Sequence, residues 1–307
     1  MSLLAIDAAM EPAPPPTESG SVGALRPPLP DGRRTRSTIR TLAVREVREG
    51  MRNRWVLATT LLLAALALTL ALLGSAPTGT VGASRLDVVT VSLASLTIFL
   101  VPLIALLLSH DAIAGEAERG TLLLLLAYPV RRTAVILGKF LGQLAILAFA
   151  TILGYGVAAV AVGWNLGLAA WTAFAVMVAA SILLGGVFLA LGLLASTLVR
   201  QRSTAGGIAI GLWLFFVLLY DMAFLGLLVS TGGKSLPAGL VDTLLALNPA
   251  DAYRLLTLGM AGTGGLTGIG ALAGHTALTP PLLGAVLLAW IAVPLAVAAF
   301  VFSRREL

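Results

Sequence analysis

The chain has 307 residues and no cysteine, and its only two histidines are His110 and His275. Without thiols it can hold no disulfide, zinc–cysteine site, iron–sulfur cluster or thiol nucleophile. Two histidines so far apart in sequence also argue against a multi-histidine metal or redox centre. Charge is scarce as well. Asp, Glu, Lys and Arg make up 11% of the residues, against roughly 25% in a soluble domain. A surface so poor in charge excludes an ordinary soluble enzyme. The net charge of +6 does not point to nucleic acid here, because in so apolar a chain basic residues are read by position relative to a membrane.

What the sequence has in excess is apolar residues, 58% of the total, with a mean hydropathy of +0.99. A spanning helix needs about 20 mostly apolar residues. Six stretches qualify: 55–74, 88–108, 134–162, 171–199, 204–230 and 282–302. The run Leu122–Ala127 is equally apolar but too short to span, so it must lie in an interface or against a partner. Seven of the fifteen prolines fall at or before Pro30. The segment lacks the basic and apolar regions of a signal peptide, and residues 1–37 are expected to be a disordered leader.

With the N-terminus placed in the cytoplasm, seventeen of the twenty cations fall on cytoplasmic segments. Only Arg85, Lys234 and Arg254 fall outside. This asymmetry predicts six helices with both termini cytoplasmic. Residues 38–54 read as an amphipathic helix. Ile39, Leu42, Ala43, Val47 and Met51 recur every three to four residues, opposite Arg40, Arg45, Arg48 and Arg52. Such a helix suits the headgroup layer of the membrane, either as an anchor alone or as an anchor that also meets a cytoplasmic partner.

The fifth–sixth connection, residues 231–279, is the one long outer segment. Asn248-Pro249-Ala250-Asp251 starts a short helix, with Asn as N-cap, Pro at the first helical position and an acid in the first turn. The helix is expected to reach about Met260 and to stop at the Gly-rich stretch 262–274. Its leucines make it a cap that lies on the bundle or dips into the outer leaflet. A partner outside the membrane would dock there, with Asn248, Asp251 and Tyr253 as candidate contacts.

Gly233-Lys234-Ser235 mimics the end of a phosphate-binding loop, but the required first glycine is replaced by Leu228, and the tripeptide lies on the outer side. Nucleotide hydrolysis by this chain is not expected. Asp221 is the one ionisable residue well inside a predicted span, and such residues face a bundle interior, a partner or water. It is either a pathway residue or a structural one paired with Arg254. Gly138-x-x-x-Gly142 and Gly186-x-x-x-Ala190 permit close helix contact, within the chain or between two copies. Pro102 and Pro294 should kink the second and sixth spans.

The second–third connection, 111–132, is the most informative. Three acids (Asp111, Glu116, Glu118), a leucine run (Leu122–Leu126), Pro129 and the pair Arg131-Arg132 build an apolar ridge with polar edges, suited to docking or to lying in the inner leaflet. At these residues the chain resembles the ABC-2 type permeases, the membrane subunits of ATP-driven transporters. The shared pattern is Glu116, Glu118, Gly120, Thr121, Leu122, Leu125, Leu126, Pro129, Val130, Arg131 and Arg132, followed by Gly138-Lys139. Within that family it is most similar to the permeases of the copper-maturation system of nitrous oxide reductase. That similarity rests on Arg52-Asn53-Arg54-Trp55, Ala127-Tyr128-Pro129, Leu219-Tyr220-Asp221 and the outer segment 247–255.

The resemblance implies an all-α integral membrane fold of the ABC-2, type V exporter-like class. Residues 55–307 form its six-helix domain, in the bacterial inner membrane. It implies a separate cytoplasmic ATPase that binds ATP and magnesium, a second copy of the permease, and a periplasmic copper-processing protein. Glu116, Glu118, Leu122, Leu123, Leu125 and Leu126 are then the candidate ATPase-coupling residues. The permease itself is expected to hold no cofactor and no metal and to catalyse nothing. Export of a lipid, peptide or drug is the alternative function.

Overall fold

The computed structural model describes residues 32–52, 54–73, 85–128, 130–163, 168–230, 237–261 and 277–305. The proline-rich leader up to residue 31, Pro129, the tripeptide 233–235, His275 and the Gly-rich stretch 262–274 lie outside the described residues. All elements among the described residues are helices. That outcome has a physical cause: in hydrocarbon each backbone N–H and C=O must be satisfied within its own segment.

The first element is α1 (Gly32–Met51), which begins six residues before the expected start. It is followed by α2 (Arg54–Leu73), α3 (Arg85–Ser109), α4 (Ala114–Glu118), α5 (Thr121–Leu126), α6 (Arg132–Gly163) and α7 (Leu168–Leu198). Next come α8 (Arg202–Leu214), a π-helical turn (Phe215–Leu219) and α9 (Tyr220–Ser230). The chain closes with α10 (Ala238–Leu247), α11 (Pro249–Ala261) and α12 (Pro280–Arg304). Five spans lie in α3, α6, α7, α8–α9 and α12. The pair α1–α2, bent by 70° at its junction, makes a sixth candidate when counted as one span, so this is a multi-pass membrane protein with five or six spans.

Two helix pairs organise the bundle. α2 packs mainly on α6, and α3 on α7, while α6 and α7 also pack on each other and α12 covers α7. The main core joins α3, α6, α7, α10, α11 and α12 through residues such as Leu106, Ile136, Leu184, Leu245, Leu255 and Leu287. A smaller core around Leu63, Leu93, Tyr155, Phe174 and Met177 fills the space between α2, α3, α6 and α7. The last turn of α12 is lashed to its neighbours by arginines. Arg132 Nη1 donates to the carbonyls of Phe302 (3.0 Å) and Arg305, and Arg305 donates to the carbonyls of Thr197 and Val199, 3.0 Å each. These bonds satisfy carbonyls that a helix end leaves without intrahelical partners.

The Gly138/Gly142 pair serves α1 and not a second copy. A Cβ on Gly138 would lie 2.6 Å from Leu42 Cβ, and one on Gly142 would lie 2.4 Å from Glu46 Cβ and 2.9 Å from the Ala43 carbonyl. Only hydrogen fits there, which lets the apolar face of α1 lie along the first turns of α6. Gly186 is used in the same way, facing Ile291 of α12. Gly142→Val should therefore lever α1 off α6, at about 1–3 kcal/mol for overpacking. The check is limited trypsin digestion: cleavage at Arg45 and Arg48 should accelerate, and an unchanged rate would show that α1 is held elsewhere.

Candidate functional site

Among the described residues, charged side chains cluster on buried partners at two places in the bundle. The first is at the 111–132 connection. Gly120 turns the chain between α4 and α5 with φ of 73°, a left-handed conformation that glycine adopts without the usual side-chain penalty. Ser196 Oγ on α7 accepts the N–H groups of Ile113 and Ala114, 3.0 Å each, so a neighbouring span caps the start of α4. Glu116 points into the bundle and puts Oε1 2.7 Å from Lys139 Nζ on α6. The same ammonium is 2.7 Å from Glu46 Oε1 on α1. The Lys139 side chain is only 4% exposed, so one buried cation binds three elements together. Glu116 Oε2 is buried without a hydrogen-bond partner.

Two other acids here also find partners within the chain. Glu118 Oε2 accepts the Arg202 N–H at 3.0 Å and so caps the start of α8. Asp111 lies between Arg119 (3.5 Å) and Arg202 (3.2 Å). Of the candidate coupling residues, Glu116 and Glu118 are thus both engaged in holding the connection onto α1, α6 and α8. The structure also makes Glu46 and Ser196 part of this site, which sequence reasoning missed, and gives Lys139, present there only in the family pattern, two carboxylate partners. The available signal was Glu46, an acid on the apolar face of α1, four residues after Leu42.

The leucine run is divided by its burial. Leu122 is 0% exposed and belongs to the core, so it is not a docking residue. Leu125 is partly buried against the same core. Leu123 and Leu124 are 58% and 70% exposed, and Tyr128 is 70% exposed. The side chain of Leu126 is outside the described residues. Among the described side chains, the exposed apolar face here includes Leu123 and Leu124 on α5, with Tyr128 just beyond the helix.

The second cluster is a helical hairpin, α10–α11, inserted among the spans. Its tip is Asn248, whose Oδ1 accepts the Ala250 N–H at 3.0 Å and whose Nδ2 donates to Asp251 Oδ2 at 2.9 Å. The expected N-cap role is visible in that first bond. Arg254 forks between two carboxylates, 2.9 Å from Asp221 Oδ2 on α9 and 2.9 Å from Asp251 Oδ1. Trp290 Nε1 of α12 donates to the Ala246 carbonyl (3.1 Å), and the Tyr220 hydroxyl donates to the Leu244 carbonyl (2.7 Å). Both bonds satisfy carbonyls in the last turn of α10. The π-helical turn just before Tyr220 holds an extra residue per turn, a device that redirects the side chains following it.

Asn248, Asp251 and Tyr253 are all 0% exposed, which corrects their assignment as contacts for an outside partner. Polar groups in so apolar a bundle are stable only when paired, and pairing turned them inward. The Tyr253 hydroxyl lies 3.2 Å from Ser181 Oγ on α7, and Thr97 and Tyr155 form a neighbouring 2.6 Å pair. The hairpin's exposed apolar side chains include Leu240 and Leu247. Among the described residues no group of three His, Cys, Asp or Glu is placed to hold a metal. The two clusters fasten short helices to long ones, an arrangement suited to passing on movement.

Residues 40–307 match the family model of the ABC-2 family transporter proteins. The chain is 46% identical over 270 residues to the probable ABC transporter permease protein NosY of Stutzerimonas stutzeri, covering 86% of this chain and 97% of that one. It is 44% identical over 274 residues to the protein of the same description from Pseudomonas aeruginosa, covering 87% of this chain and 98% of the relative. The exposed face of α5, the buried lysine that seats it and the inserted hairpin are therefore features of an ABC transporter permease, and the chain belongs to the ABC-2 transporter family.

Proposed function

We propose that this chain is the membrane subunit through which a separate cytoplasmic ATPase drives a periplasmic partner in copper-site maturation of nitrous oxide reductase. The observation that carries the reading is the likeness to NosY permeases across nearly their whole length. The chain would sit in the bacterial inner membrane as one of two copies, with both termini in the cytoplasm, as the distribution of its cations favours. ATP and magnesium belong to the partner, and catalysis to the partner as well. Movement enters at α5, crosses to α1, α6 and α8 through Lys139, Glu116 and Glu118, and leaves through the α10–α11 hairpin. Copper itself takes another route. Copper(I) favours thiolate and thioether ligands, and this chain has no Cys. Met177 is buried in the smaller core, and Met222 is exposed on α9.

The test is co-purification from a denitrifying host. A cytoplasmic ATPase and a periplasmic copper-binding protein should both remain with the tagged chain. A complex that lacks the copper protein and exports a lipid, peptide or drug would overturn the reading. The docking face has its own check. Burying a leucine is worth about 1.5–3 kcal/mol, so Leu123→Asp and Leu124→Asp should release the ATPase from a folded permease. Leu122→Asp should instead prevent folding. Retention of the ATPase by the Leu123/Leu124 double variant would move the docking surface elsewhere.

A further inference from the structure

A cavity of about 390 Å³ lies between α2, α3 and α6, where the two helix pairs diverge. Its volume is in the range of ligand pockets, about 300–1,000 Å³. One turn from each helix builds the walls: Val56 and Thr59 on α2, Ile104 and Leu107 on α3, and Ile146 and Ala150 on α6. This apolar part runs along spans whose outer faces meet hydrocarbon. The polar end is formed by His110, Asp111 and Arg202, where α3 gives way to the 111–132 connection. Asp111 stands between Arg202 at 3.2 Å and Arg119 at 3.5 Å, so this end offers a carboxylate beside guanidinium groups. His110 Nδ1 is 3.0 Å from the Leu107 carbonyl, leaving Nε2 for another partner.

We infer that this cavity is a binding site for one zwitterionic phospholipid of the adjacent leaflet. An acyl chain would occupy the slot along α3 and α6, the phosphate would meet Arg202 and His110, and the ammonium would meet Asp111. The charge pattern selects this class. A fatty acid or a purely anionic headgroup would bring no cation to Asp111. A soluble polar ligand would leave the apolar walls unmatched. The bound lipid would wedge the seam between the α2–α6 and α3–α7 pairs, next to the connection that seats α5. Basic pockets between spans are known sites of lipid headgroup recognition, and this one adds a carboxylate.

The experiment uses the full-length chain in vesicles of phosphatidylethanolamine and phosphatidylglycerol, with a small fraction of phosphatidylethanolamine carrying a diazirine on its acyl chain. After illumination, mass spectrometry should find adducts on the segments 104–108 and 146–150. Ordinary lipid contact is reported by the exposed residues Met222 and Val229 of α9. Ala150→Trp should abolish the cavity adducts and leave the α9 adducts unchanged. Thr59→Trp, on the opposite wall, serves the same purpose if the first variant fails to fold. Moving the diazirine to phosphatidylglycerol should also remove the cavity adducts. The inference is overturned if cavity labelling is no stronger than on α9, if it survives a filled cavity, or if phosphatidylglycerol labels it equally.

Discussion

Lys139→Met is expected to disable the permease severely, by unseating the 111–132 connection from the bundle. The side chain is 4% exposed and lies 2.7 Å from both Glu46 and Glu116. Removing the ammonium leaves two carboxylates facing each other in a largely apolar setting. Breaking a buried ion pair in this way costs about 3–5 kcal/mol. The loss should appear as a lower melting temperature in nanodiscs and as faster hydrogen exchange in α4, α5 and α1 together. The diagnostic is rescue. Adding Glu46→Gln and Glu116→Gln removes the stranded charges and should recover most of the stability without the original ion pair. If the triple variant is no more stable than Lys139→Met, lost packing rather than stranded charge explains the defect.

Arg254→Met should have an effect of similar size where the hairpin tip meets α9. It leaves Asp221 and Asp251 together, with Asp251 fully buried, again about 3–5 kcal/mol by the same argument. Because Arg254 contacts both carboxylates through separate nitrogens, lysine cannot reproduce the fork. Arg254→Lys should therefore fall between wild type and Arg254→Met. Hydrogen exchange should locate the change in α10–α11 and leave α4–α5 protected. Exchange that rises uniformly over the bundle would mean that Arg254 supports the fold as a whole and not the seating of the hairpin.

Much of the architecture was legible because a membrane imposes simple rules. The six apolar stretches became helices, the Asn248-Pro249 start became a capped helix, and the pattern from Glu116 to Lys139 identified the family. The Asp221–Arg254 contact could be anticipated because an isolated charge in a span needs an opposite charge on the same side. The helix α10 was not anticipated. Neither was the π-helical turn, since a single extra residue leaves no trace in hydrophobic periodicity.

Hydropathy and charge placement, summed over whole segments, determined by themselves that this chain is a multi-pass helical membrane protein, and the pattern from Glu116 to Lys139 placed it in the ABC-2 family. Those quantities survive any arrangement of the helices. Only the tertiary structure decided which individual side chains are available. Leu122 and Leu124 stand two residues apart in one leucine run, yet the first is 0% and the second 70% exposed. Asn248, Asp251 and Tyr253 look like surface polar residues in sequence, but they are buried because the hairpin is inserted among the spans. Glu46 and Lys139 are 93 residues apart in the chain, and their meeting depends on two glycines that let α1 approach α6. Pairing of this kind is set by distances between helices, and local sequence carries no measure of those.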